Sequence, residues 1–156
     1  MKTTDKRSMT PFQVLRLDHV VLRVRDPARS IAFFGDVLGC AVVRRRDDLG
    51  LVHLRAGVSM IDLVALDGPL GRLGGAAPQA EGRNVDHVCL RIEPFDERAL
   101  VAHLQAHGVA VGEIAGHNFG AEGSGPSIYF KDPDGNTIEL KGPADDALAG
   151  PSDTAP

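Results

Sequence analysis

The stretch Leu17-Asp18-His19-Val20-Val21-Leu22-Arg23-Val24 returns 68 positions later as Val85-Asp86-His87-Val88-Cys89-Leu90-Arg91-Ile92. The Asp-His-Val triplet, the Leu and the Arg recur in place, and the remaining positions exchange one small or aliphatic residue for another. A second echo joins Ile61-Asp62-Leu63 to Ile138-Glu139-Leu140 at an offset of 77, so the second copy holds nine more residues than the first. An internal repeat means one supersecondary unit written twice. The chain must therefore fold as two related halves.

Both copies of the octet are rich in β-branched and aliphatic residues and contain no breaker, which predicts strands. Side chains alternate between faces along a strand. Val20, Leu22 and Val24 share one side, as do Val88, Leu90 and Ile92, and these aliphatic faces call for helices packed on them. The opposite faces carry His19 and Arg23, or His87, Cys89 and Arg91. Asp62 opposes Ile61 and Leu63, and Glu139 opposes Ile138 and Leu140. Two histidines and two carboxylates thus fall on equivalent faces of equivalent strands.

Read in order, a polar leader (1–14) precedes a strand at about 15–25. Asp26-Pro27 starts a helix, with Asp26 as N-cap and Pro27 in the first turn. Ile31, Phe34 and Leu38 keep helical spacing, and Gly39 stops it. Strands at about 41–46, 50–55 and 58–66 follow, with turns at Asp47-Asp48 and Ala56-Gly57. The Gly-, Ala- and Pro-rich stretch 67–83 reads as a linker. The second unit has its helix at about 96–107, a strand at 109–114, a glycine-rich loop at 115–126, and strands at 127–131 and 137–141. Asp132-Pro133-Asp134-Gly135-Asn136 is strong hairpin chemistry. The expected organisation is one domain over 15–141, with modules at 15–66 and 84–141, and flexible tails at 1–14 and 142–156.

At 156 residues and 43% apolar content, the chain has enough material for one soluble core. A net charge of −4 with 4% aromatic residues argues against a nucleic-acid partner. The one basic run, Arg44-Arg45-Arg46, reads as a solvated strand face. No segment has the length and apolarity to span a membrane, and the leader lacks the apolar centre of a signal peptide. Cys40 and Cys89 read as reduced thiols, which points to the cytoplasm.

Three motifs together resemble the vicinal oxygen chelate superfamily of glyoxalases, bleomycin-resistance proteins, fosfomycin-resistance enzymes and extradiol dioxygenases. They are the Asp-His openings at 18–19 and 86–87, the helix Ser30-Ile31-Ala32-Phe33-Phe34 running to Leu38-Gly39, and the run Tyr129-Phe130-Lys131-Asp132-Pro133-Asp134-Gly135-Asn136-Thr137-Ile138-Glu139-Leu140. The Ser-Ile-Tyr-Phe approach to the Asp-Pro-Asp-Gly turn also resembles virulence-associated glyoxalase-domain proteins. The resemblance implies an α+β fold in which two βαβββ modules form a half-open barrel around a metal cavity. It implies metal ligands on the first and last strand of each module, at His19, Asp62, His87 and Glu139, with Glu139 and Asp62 as the catalytic carboxylates. Asp62 is one methylene shorter than the Glu or Gln usual there, which leaves direct ligation, ligation through water, a role as base, and a place apart from the metal all open.

One divalent metal per cavity is expected, and imidazole with carboxylate suits Fe, Mn, Ni, Co or Zn alike. The first expectation is a lyase or isomerase whose metal acts as Lewis acid on a small substrate with adjacent oxygens. The alternatives are an Fe(II) extradiol-type dioxygenase, a metal-free drug-binding protein of the bleomycin-resistance kind, and a fosfomycin-type thiol transferase. Tyr129, Asn118 and Arg91 are expected in the substrate cavity, with Arg23 and Arg91 either offering charge to an anionic substrate or lying exposed at the barrel ends. The 115–126 loop reads equally as a lid or a surface insertion. His53, mid-strand, is expected to be structural, and His103 with His107 to be the wet face of a helix. The resemblance also implies a homodimer, with His19 and His87 of one site drawn from one subunit or from two.

Overall fold

The computed structural model describes residues 11–145. The first copy forms β1 (His19–Val24), α1 (Pro27–Asp36), β2 (Val42–Arg46), β3 (Leu51–Ala56) and β4 (Ser59–Ala65). After α2 (Pro69–Leu73) the second copy forms β5 (His87–Arg91), α3 (Glu97–Ala106), β6 (Ile114–Gly120), β7 (Gly123–Lys131) and β8 (Thr137–Lys141). The strands make two four-stranded sheets of the same topology, β1-β4-β3-β2 and β5-β8-β7-β6. In each, the first strand pairs in parallel with the last, and the rest pair antiparallel. This is an α+β fold of two βαβββ units with no closed barrel.

The helices begin and end alike because their termini are alike. Asp26 caps α1 through the Arg29 amide, and Asp96 caps α3 through the Ala99 amide. Gly39 and Gly108 follow the helices at φ 69°, a left-handed conformation that glycine adopts without strain. The aliphatic faces of all four repeat-related strands meet the helices in one cluster that includes Val24, Phe34, Ile61, Leu63, Leu104, Ile138 and Leu140. Burying each such side chain is worth about 1.5–3 kcal/mol. Phe33 touches both Phe34 and Phe130, so the cluster bridges the two copies.

The Asp-Pro-Asp-Gly-Asn turn adds a polar bridge. Asp134 accepts from the Arg25 amide and guanidinium at the start of α1, while Asp132 accepts from the Asp134 amide and from the Asn136 amide and side chain.

Residues 115–126, expected as a glycine-rich loop, are strand, in β6 and β7, closed by the turn Ala121-Glu122 between the paired Gly120 and Gly123. The glycines serve close approach, as glycine in a strand often does. A Cβ on Gly125 would lie 2.3 Å from the Pro143 carbonyl oxygen. Residues 109–113, expected as strand, precede β6 and connect to β7 through Gly112 and Glu113. The linker contains α2, and Arg23 is taken up by it. It donates to the carbonyls of Gly71, Gly74, Gly75 and Ala76, satisfying the end of that helix. Of the expected tails, 1–10 and 146–156 lie outside the described residues. Residues 142–145 run beside β7, through Gly142 to Pro126 and Asp145 to Ser124. Among the described residues no helix is long and apolar enough to cross a membrane.

Candidate metal and substrate site

Each sheet turns one polar face away from the helices. In the first, Asp62 on β4 is in register with Val21 on β1 and His53 on β3. In the second, Glu139 on β8 is in register with Cys89 on β5 and Tyr129 on β7. His19 and His87 sit two residues before Val21 and Cys89, on the same faces. The repeat therefore yields two half-sites, each with one histidine on an edge strand and one carboxylate on the adjacent strand.

Both histidines are oriented by the residue before them. His19 Nδ1 donates to Asp18 at 2.8 Å, and His87 Nδ1 donates to Asp86 at 2.7 Å. The aspartates are exposed, so these pairs add little stability. They fix the tautomer and leave each Nε2 to another partner, as in carboxylate-backed histidine ligands. The Asp18 hydrogen bond, with the Asp62 charge, raises the His19 pKa. Asp18 moves down, chiefly through the same hydrogen bond.

The carboxylates differ in their surroundings. Glu139 is 5% exposed, accepts from the Ser127 hydroxyl at 2.5 Å, and stands 3.0 Å from His87 Nε2. Burial pushes its pKa up, but hydrogen bonds from Ser127, Tyr129, Cys89 and Asn118 outweigh burial and hold it below the ordinary value. The cost appears on the donors. Burial first, then the Glu139 charge, pushes Tyr129 and Cys89 each up to about 12. Cys89 is therefore a protonated thiol and not a nucleophile. Asp62 is also 5% exposed, yet its Oδ1 has no hydrogen-bond partner among the described residues. His53 Nδ1 lies 2.9 Å from that oxygen, close enough for an ion pair but off the hydrogen-bonding line. A buried carboxylate oxygen left so costs about 1–3 kcal/mol or more. A carboxylate oxygen so placed suits coordination to a cation.

Two imidazoles, one of them with its Nε2 already against Glu139, and two buried carboxylates fit a divalent transition metal. One chain does not collect them, however. Among the described residues, no three His, Cys, Asp or Glu side chains come together in a metal-holding group. The fold brings His19 near Asp62 and His87 against Glu139. β1 and β5 are both edge strands, so each half-site opens at a sheet edge.

A cleft of about 330 Å³ lies on the second half-site, lined among others by His87, Glu139, Arg91, Lys141, Phe119 and Glu122. Arg91 is thus in the cleft. Asn118 donates to the Tyr129 hydroxyl at 2.9 Å, and both act on Glu139 from behind. Sequence reasoning passed over Ser127 as a partner of Glu139 and His53 as the neighbour of Asp62. The second was within reach: from the Ala56–Ser59 pair that closes the β3–β4 turn, equal steps back lead to His53 and Asp62. His103 is bound to the Val37 carbonyl and His107 to the His103 carbonyl, both away from either half-site.

Comparison with known proteins agrees with this architecture. Residues 16–140 match the family described as Glyoxalase/Bleomycin resistance protein/Dioxygenase superfamily. The virulence protein STM3117 of Salmonella typhimurium is 29% identical over 80% of this chain and 82% of its own length. Its crystal structure superposes with a TM-score of 0.68 at 27% identity, covering 85% of this chain and 100% of that one. The glyoxalase domain-containing protein RDO1 of Mycosarcoma maydis is 33% identical over 86% of this chain and 72% of its own. The fosfomycin resistance protein FosX of Listeria monocytogenes, a mutant solved with Mn(II) and 1S,2S-dihydroxypropylphosphonic acid, shares the fold. Its TM-score is 0.60 at 18% identity, over 83% of this chain and 90% of that one. The repeat, the paired sheets and the family match together establish that this chain belongs to the glyoxalase/bleomycin resistance protein/dioxygenase superfamily.

Proposed function

We propose that this chain is a metal-dependent enzyme of the lyase or isomerase type acting on a small molecule with adjacent oxygen atoms. Its working unit spans 15–141 and is a homodimer, in which the His19–Asp62 half of one chain faces the His87–Glu139 half of the other. The observation that carries this reading is the pair of half-sites. Each sets a carboxylate-backed histidine beside a buried carboxylate at repeat-equivalent positions, and neither is a complete ligand set. The manganese in the FosX structure supports the choice of a divalent ion, and the free thiols of Cys40 and Cys89 support a cytoplasmic setting.

A divalent ion held by His19, Asp62, His87 and Glu139 would supply Lewis-acid stabilisation to an oxyanion developing on the substrate. The chain supplies the rest. Asp18 and Asp86 present the histidine Nε2 atoms. Ser127, Tyr129, Cys89 and Asn118 keep Glu139 ionised. Asp62, buried and ungripped by the ring of donors that holds Glu139, is the carboxylate that would take a proton from substrate.

Metal analysis of purified wild type beside a His87→Ala/Glu139→Ala variant tests the reading. About one divalent ion per chain in wild type, lost in the variant, is expected for a two-His, two-carboxylate site. Iron, with oxygen consumed on a catechol, would move the assignment to the extradiol dioxygenases. No uptake of any supplied divalent ion would leave ligand sequestration as the function.

A further inference from the structure

The cleft on the second half-site holds two cations that the metal reading does not use. Lys141 closes β8 two residues beyond Glu139 and on the same face. It is 6% exposed, lines the cleft, and donates from Nζ to the Asn118 carbonyl at 2.7 Å, its one protein acceptor among the described residues. A buried ammonium is costly unless a counter-charge meets it, and it carries three donors. The fold nevertheless makes room for it: a Cβ on Gly120 would come within 2.5 Å of Lys141 Cε.

Arg91 is in register with Lys141 across β5 and β8 and lines the same cleft. Its Nε donates to Glu122 Oε2 at 2.6 Å, and Glu93 lies 3.4 Å from its Nη2. Glu122 belongs to the two-residue turn between β6 and β7, so this carboxylate arrives from across the cleft mouth. A guanidinium fork matches a carboxylate or phosphonate, and here an internal carboxylate already occupies it.

We propose that Arg91 and Lys141 form a subsite for the oxyanion group of a small anionic ligand, a carboxylate or phosphonate, and that Glu122 is a placeholder the ligand displaces. Phe119 and Ala121 supply an apolar wall beside the charges, and the cleft volume suits a compact molecule. The proposal rests on the function above in naming the charge of its substrate, but the subsite itself needs no metal.

The test is calorimetric titration of chelator-treated protein with phenylphosphonate and, separately, phenylacetate. Wild type, Glu122→Gln and Lys141→Met are compared. Removing the internal competitor is expected to tighten binding about tenfold, and removing the ammonium to weaken it about tenfold. The probe that shows both shifts identifies the oxyanion class. Glu122→Gln alters an exposed turn, so its result stands even if Lys141→Met fails to fold. Binding that neither tightens in Glu122→Gln nor weakens in Lys141→Met, for either probe, overturns the subsite. Metal content measured on the same proteins separates the two readings. No metal uptake with both shifts intact removes the metal site alone, and full uptake with no shifts removes the subsite alone.

Discussion

Asp62 and Glu139 occupy equivalent places in the repeat, but their neighbours set them to different tasks. Glu139 is held ionised by four donors, whereas Asp62 keeps a buried oxygen with no hydrogen bond among the described residues and only His53 Nδ1 beside it, at 2.9 Å. Stability would not maintain such an oxygen. Asp62→Asn, which removes the charge, is therefore expected to raise the metal-free protein's stability by about 1 kcal/mol while weakening metal uptake. Thermal unfolding and metal analysis check this, and a marked loss of stability would contradict it. For Glu139 the sign follows from its depressed pKa. Its stabilising contribution is present above the ordinary value of 4.5 and is lost as pH falls through the lower folded value. In Ser127→Ala one of the opposing donors is gone and burial weighs more. Carboxyl NMR should find Glu139 titrating at higher pH in that variant than in wild type, and an unchanged titration would remove Ser127 from the account.

At the scale of elements, the parts that repeat could be read from the residues. The Asp-His strands, the Asp-capped helices ended by glycine, and the Asp-Pro-Asp-Gly-Asn hairpin are local patterns with local causes. What could not be read depended on distant partners. Gly120 and Gly125 look like loop residues until Lys141 and Pro143 are seen against them. Arg23 and Arg91 are identical in the repeat, yet one is consumed by the carbonyls around α2 and the other faces the cleft. His53 was read as structural and not as the neighbour of Asp62, because its counterpart in the second copy is Tyr129 and no echo marked it. Two substitutions test these element-level claims. Gly71→Ala would set a Cβ 1.9 Å from the Ala65 carbonyl oxygen, and a backbone displacement costing about 3 kcal/mol is expected. Asp134→Ala removes the acceptor that ties the β7–β8 turn to the start of α1, and a loss of about 2 kcal/mol is expected. Denaturant unfolding reads both.

For the whole molecule, a two-fold sequence repeat has produced two histidine–carboxylate pairs that do not come together in one group among the described residues. Each opens at an edge strand, and edge strands invite pairing. Leu15, Leu17, Val21 and Val85 are exposed apolar residues near His19 and His87, and in the proposed dimer the second chain would cover them. A symmetric dimer joining unlike halves builds two equal sites at no extra cost in sequence. Mixing variants tests this most directly. His19→Ala damages only the first half and Glu139→Ala only the second. Each variant alone should lose the metal. Unfolded together and refolded as mixed dimers, they should recover about one intact site per heterodimer, because one pairing unites two undamaged halves. Metal content restored on mixing is the predicted result, and metal content as low in the mixture as in either variant alone would contradict it.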